Sequence, residues 1–184
     1  MAPVLIKYLS AVQRRVLEVS LALAVASTVM AQCKPADLRA YSVCFPEKWR
    51  VDKDPATAKV SACNKATGPC AGNGAVAVTI TTFQSAEKSG DLAKAIGQLE
   101  ATNHPSGAEP AEYESGTLAG QTEYVLSRSL VSGKTWHDLY VIKIGPKMFS
   151  AVVQYNDEPA TIDANRSTLF RILASISVVK TANP

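Results

Sequence analysis

Thr135-Trp-His-Asp-Leu-Tyr-Val-Ile-Lys-Ile-Gly-Pro-Lys-Met-Phe-Ser-Ala-Val-Val-Gln-Tyr155 is the stretch that decides the fold. Gly145-Pro146 divides it into two β-rich runs, because glycine can take the positive φ of a tight turn and proline the negative one. The second run places Phe149, Ala151, Val153 and Tyr155 on one face, the period-2 pattern of a half-buried strand. Upstream, Ser132-Gly133 is a two-residue hairpin signal that folds a strand over 121–131 back on 135–144. Ala119-Gly120 turns that strand back on another over 112–118. Four strands in succession define an antiparallel meander.

Further upstream, Ala75-Val-Ala-Val-Thr-Ile-Thr-Thr-Phe83 is a β-branched strand. Tyr41-Ser-Val-Cys-Phe-Pro46 alternates, with Tyr41, Val43 and Phe45 on one face. Pro46-Glu47-Lys48 is a turn into a short strand from Trp49 to Asp54, and residues 55–73 have loop composition. Two segments are helical. Ser89-Gly-Asp91 offers a side-chain oxygen to the first free amides of a helix whose stripe is Leu92, Ile96 and Leu99. It ends at Asn103-His-Pro105, since the residue before proline avoids the helical region. Asp157-Glu158-Pro159 opens a second helix, with Ile162, Leu169, Ile172, Leu173 and Ile176 along one side. The order β-β-loop-β-α-β-β-β-β-α predicts an α+β fold: one antiparallel sheet flanked by two helices, an α/β/α sandwich.

The first 31 residues read as an export signal. Lys7, Arg14 and Arg15 precede a 13-residue apolar run from Val19 to Ala31, and Val29 and Ala31 are small enough for cleavage before Gln32. A membrane-spanning helix needs about 20 apolar residues, so retention as an anchor is the lesser alternative. Residues 32–184 form one domain. Without the signal, 16 basic and 15 acidic residues remain, a net of +1. That balance argues against nucleic acid, whose phosphates need a surplus of positive charge. Membrane contact is expected only through an uncleaved signal. The expected location is periplasmic or secreted.

Cys33, Cys44, Cys63 and Cys70 are the four cysteines, an even count that in an exported chain predicts two disulfides. Three pairings are open. Cys63 with Cys70 would close a short loop around Thr67-Gly68-Pro69, and Cys33 with Cys44 would then pin the start of the mature chain to the first strand. Zinc fits poorly, since close pairs such as Cys-x-x-Cys are missing.

The Tyr41-Ser-x-x-Phe-Pro-x-x-Trp49 opening resembles that of the PsbP-like and DcrB-like bacterial families. So does the later course through Tyr140-Val-Ile and Phe149-Ser-Ala-Val to the helix from Thr168 to Ile176. The likeness spans about residues 40–178, with segment 55–74 as an insertion. It implies an α/β/α sandwich around an antiparallel sheet. The families are mainly non-catalytic; their roles include an extrinsic photosystem subunit, a Ran-binding nuclear-import factor, secretion-system chaperones and envelope proteins. No catalytic residue set is carried over.

The chemistry on offer is sparse. No Gly-x-Ser-x-Gly or His-Glu-x-x-His pattern occurs. Gly72-Asn73-Gly74 precedes a strand, whereas a phosphate cradle needs a helix N-terminus, so no cofactor is expected. Glu112 with Glu114, and Asp52 with Asp54, give too few oxygens for calcium, and no metal is expected. His137 and Asp138 are neighbours on a strand and point to opposite faces, so they form no dyad. Trp136 and Tyr140 share a face with Asp138, which a buried face tolerates only when paired. An exposed face of this kind would make an aromatic rim with a carboxylate, suited to a protein or peptide partner. Trp136, His137, Asp138 and Tyr140 are therefore the candidate binding residues.

The functional expectation is an exported, non-enzymatic accessory or binding protein of the bacterial envelope. It would act on an unidentified envelope or secreted protein, as an immunity protein or a chaperone does. The alternative is a small-molecule carrier or enzyme with a pocket between helix and sheet, using His137 with a carboxylate from a neighbouring strand such as Glu123.

Overall fold

The computed structural model describes residues 33–179 except 73, 110, 120, 121, 134, 157 and 158, and leaves aside the side chains of 159–164. The segment 1–31 expected to be an export signal, the acids Asp157 and Glu158, and the side chain of Ile162 thus lie outside the described residues. Contacts divide the chain into two units, Met1–Cys33 and Lys34–Pro184.

Among the described residues, ten strands and three helices follow in order. They are β1 (Cys33–Asp37), β2 (Tyr41–Pro46), β3 (Arg50–Asp54), β4 (Lys59–Cys63), β5 (Val76–Thr82), α1 (Gln84–Glu87) and α2 (Leu92–Asn103). Then come β6 (Glu112–Leu118), β7 (Thr122–Val131), β8 (Thr135–Ile144), β9 (Lys147–Tyr155), α3 (Pro159–Ala174) and β10 (Ser177–Val178). Seven strands form an antiparallel sheet in the order β3-β4-β5-β9-β8-β7-β6. A small second sheet runs β1-β2-β10. The fold is therefore α+β, with the meander β6 to β9 as expected.

Alternation along β8 and β9 splits the apolar residues between two faces. On one, Tyr140, Ile142, Phe149, Ala151, Val153 and Tyr155 meet Leu169, Ile172 and Leu173 of α3 and Tyr41, Val43 and Phe45 of β2. On the other, Leu139, Val141 and Met148 meet Ala86 of α1 and Ala95, Ile96 and Leu99 of α2. Each large apolar side chain so buried contributes about 1.5–3 kcal/mol. No helix among the described residues is long and apolar enough to cross a membrane.

Three expectations need correction. Residues 55–73 are not all loop: Val60 and Ala62 point inward from β4, which pairs with both β3 and β5. The first two predicted strands form no hairpin. β2 leaves the main sheet and pairs with β10, while Pro46 accepts from the Trp49 amide and turns the chain into β3. The loop between β7 and β8 has three residues, because Val131 pairs with Thr135; Ser132 and Gly133 take φ of 51° and 63°. The turn between β8 and β9 is as expected, with Gly145 at φ 58° before Pro146.

Cys63 and Cys70 are disulfide-bonded, with Cα atoms 5.9 Å apart, and Cys33 and Cys44 are disulfide-bonded too. Two such bridges fit an oxidising compartment.

The start of α2 follows the predicted chemistry. Asp91 is its N-cap, and its carboxylate accepts from the amides of Ala93 at 2.9 Å and Lys94 at 3.2 Å. Asp91→Ala is expected to destabilise the protein by about 1 kcal/mol, read as a lower urea midpoint with an unchanged slope.

Candidate functional site

The candidate residues lie at the Tyr155 end of β9, where β7, β8 and β9 run side by side. Cross-strand register sets Arg128 of β7 opposite Asp138 of β8, and Asp138 opposite Val153 of β9. Asp138 is fully buried, and the Arg128 side chain is 13% exposed. The guanidinium grips the carboxylate with two bonds, Nε to Oδ1 at 2.8 Å and Nη2 to Oδ2 at 2.6 Å. The hydroxyls of Tyr155 and Tyr140 donate to Oδ2 at 3.1 and 3.3 Å. Arg128 also donates to the Tyr155 hydroxyl at 2.8 Å and stacks 5.4 Å from the Trp136 ring centre.

Asp138 thus meets the condition set for a buried acid: it is paired. A carboxylate offers about four lone-pair sites, and four donor contacts reach this one. The Asp138 hydrogen bonds hold Arg128 firmly protonated, against the lowering effect of burial. Burial first, and Asp138 second, push the Tyr140 hydroxyl well above the usual phenol range.

The expected exposed rim of aromatics and carboxylate is not present as such. Asp138 and Tyr140 are both fully buried, the Tyr140 ring packed against Tyr124 and Phe170, and of the three candidate residues on that face Trp136 alone is partly open to solvent. The physical reason is Arg128, which neutralises the acid and lets the face close.

A second network continues the first toward the sheet edge. Glu114 of β6 accepts from the Tyr124 hydroxyl at 2.6 Å and from Arg166 of α3. Arg166 lies 5.5 Å from the Phe170 ring centre. The Tyr124 hydroxyl, and then Arg166, hold the Glu114 carboxyl below its ordinary range. Burial and Glu114 push the Tyr124 hydroxyl up to about 12. Gly116 gives the Tyr124 ring room, since a Cβ there would lie 3.1 Å from it, a tight approach that the ring could meet only by shifting.

His137 faces the other side of the sheet, toward α2, as the alternation requires. It is buried opposite Ser129, and its Nδ1 has no hydrogen-bond partner. Glu123 is not its neighbour. That residue sits opposite Lys143, six positions along β7 from Ser129 and so roughly 20 Å away. The carboxylate on the α2 face is Glu100, which accepts from both Ser127 and Tyr113. His104 forms the C-cap of α2. Among the described residues no three His, Cys, Asp or Glu side chains gather as a metal would require.

Burial lowers the His137 pKa, with His104 adding to the effect and Asp138 opposing it. The unfolded chain therefore takes up a proton at higher pH than the folded one does. Stability is expected to be full above about pH 6.5, to fall as pH drops below that value, and to level off below the folded pKa. Denaturation between pH 8 and 4.5 reads the effect, and His137→Gln is expected to flatten this part of the curve.

Sequence reasoning missed Arg128 and Arg166, and weighed Glu114 only as a calcium ligand beside Glu112. Arg128 carried a signal, being the sole basic residue of β7 on the face of Asp138, but its pairing depends on a loop length that the sequence left ambiguous.

No protein-family model and no curated sequence matches the chain. Solved structures do. The Saccharomyces cerevisiae Ran-binding protein Mog1p aligns over 81% of this chain and 96% of its own, at 12% identity and a TM-score of 0.54. Protein PA94 of Pseudomonas aeruginosa, of unknown function, aligns over 82% and 99% at 14% identity and a TM-score of 0.47. LpqN of Mycobacterium tuberculosis, involved in cell envelope biogenesis, aligns over 81% and 91% at 14% identity and a TM-score of 0.43. The chain has the Mog1p/PsbP-like fold, as the sequence resemblance implied. At such identities the likeness extends to architecture and not to activity.

Proposed function

We propose that the protein is an exported, non-enzymatic accessory or binding protein of the bacterial envelope, acting by contact with another protein as an immunity protein or chaperone does. The observation that carries this reading is the saturation of Asp138. The acid nearest to the candidate aromatics meets one arginine and two tyrosines, so its role is to hold the sheet face closed. Mog1p, a Ran-binding protein of the same fold, gives a precedent for protein contact from this architecture. The disulfides support a periplasmic or secreted location.

The test is crosslinking in the producing cell, followed by recovery from an envelope extract. A stable complex with one protein supports the reading; a clean monomer with no crosslinked partner contradicts it. Intact mass of the exported protein tests the compartment. Removal of the signal and a loss of about four hydrogens against the reduced chain are expected.

A further inference from the structure

The seven-stranded sheet ends in two edges of different character. β3 carries Arg50, Asp52, Lys53 and Asp54, charges of both signs, with Arg50 and Asp52 paired at 3.7 Å. Mixed charge of this kind blunts an edge against added strands. β6, at the other end, reads Glu-Tyr-Glu-Ser-Gly-Thr-Leu, and only Leu118 of it is buried. Residues 95–127 hold five glutamates and no lysine or arginine.

Among the described residues no strand pairs with the outer side of β6. An antiparallel edge of seven residues directs about three N–H and C=O pairs outward. Tyr113 stands on this edge, 63% exposed, with its hydroxyl tied to both oxygens of Glu100 at 2.9 Å. The ring is thus pre-positioned while most of the residue stays open to solvent. Glu112, next in the strand, is exposed, and so is Glu109, whose amide bonds to Leu130 further along the same edge, whereas Glu114 is occupied by Arg166 and Tyr124.

We infer that β6 is the docking edge for an extended basic segment of a partner protein, which adds an eighth strand and sets its lysines or arginines over Tyr113 and against Glu112 and Glu109. Backbone pairing supplies the affinity of such an addition and side chains its choice of partner. A cation over the tyrosine ring is favourable, and so is an opposite charge across the strands. A second copy of this chain fits less well, because it would bring the same glutamates to the same edge. The inference rests on the protein-contact reading above and names the surface and chemistry of that contact.

The probe is a fluorescein-labelled heptapeptide with two adjacent lysines in a valine/threonine background, so that a lysine falls on each face of the added strand. Anisotropy titration against the signal-free protein is expected to show saturable binding that weakens with salt. Glu112→Lys is expected to weaken it by about tenfold or more, with urea denaturation unchanged because Glu112 is exposed. N-methylation of alternate peptide nitrogens is expected to abolish binding, and a glutamate version not to bind. Three results overturn the inference. They are no binding up to about 1 mM peptide, equal binding of the N-methylated peptide, and self-association of the chain that Glu112→Lys removes. Recovery of a crosslinked partner alongside a failed peptide would leave the protein-contact reading standing and remove β6 as its surface. Peptide binding without any recovered partner would do the reverse.

Discussion

Asp138→Ala is expected to destabilise the protein by about 3–5 kcal/mol, because it strands a guanidinium in a closed site. Arg128 is 13% exposed and has its Nε and Nη2 directed at the missing carboxylate. The Tyr140 hydroxyl loses its acceptor as well. The loss measures an uncompensated buried charge, which is a different quantity from the net worth of the pair. Replacing both partners together, Arg128→Met with Asp138→Leu, is expected to recover most of the stability. Urea denaturation of the two single variants and the double variant completes the cycle. A cost below about 1 kcal/mol for Asp138→Ala would mean that water reaches Arg128 and that the network is not closed.

Phe149→Ala is expected to cost a similar amount, about 3–5 kcal/mol, for a different reason. Phe149 is 1% exposed and meets Tyr41 edge-on, with ring centres 5.1 Å apart. Tyr41 belongs to the small sheet, and its hydroxyl donates to the Ile80 carbonyl of the large one at 2.9 Å. The Phe149 ring therefore helps join two sheets that share no strand. Its removal leaves a cavity that β2 and β9 can collapse into only by moving apart elsewhere. Tyr41→Phe keeps the ring and removes the hydroxyl, at an expected cost of about 1–2 kcal/mol. The two changes are expected to be non-additive, since the side chains touch. Full additivity in a thermal or urea denaturation series would contradict the joint role.

The meander was legible because β7 to β9 are long runs rich in β-branched and aromatic residues, and because Gly145-Pro146 admits one reading. β4 was not, since five residues with one valine and one inward alanine resemble the loop on either side of them. The partner of Asp138 was hidden for a geometric reason. A two-residue loop at Ser132-Gly133 would set Arg128 opposite His137. The observed three-residue loop shifts the register by one and sets it opposite Asp138. One position of slip exchanges the two faces of a strand, so loop length decides whether the acid is paired or bare. The wandering of β2 to β10 had no local signal at all, because that pairing joins Ser42 to Ser177.

That last pairing has a consequence for synthesis. The serine hydroxyls of Ser42 and Ser177 lie 2.7 Å apart across 135 positions of chain. A ribosome completes residue 42 long before residue 177 exists, so the β2–β10 pairing must wait for 135 further residues to be made. The seam between the two strands therefore stays open in the nascent polypeptide until residue 177 has emerged, and order of synthesis alone makes this one of the late contacts of the fold.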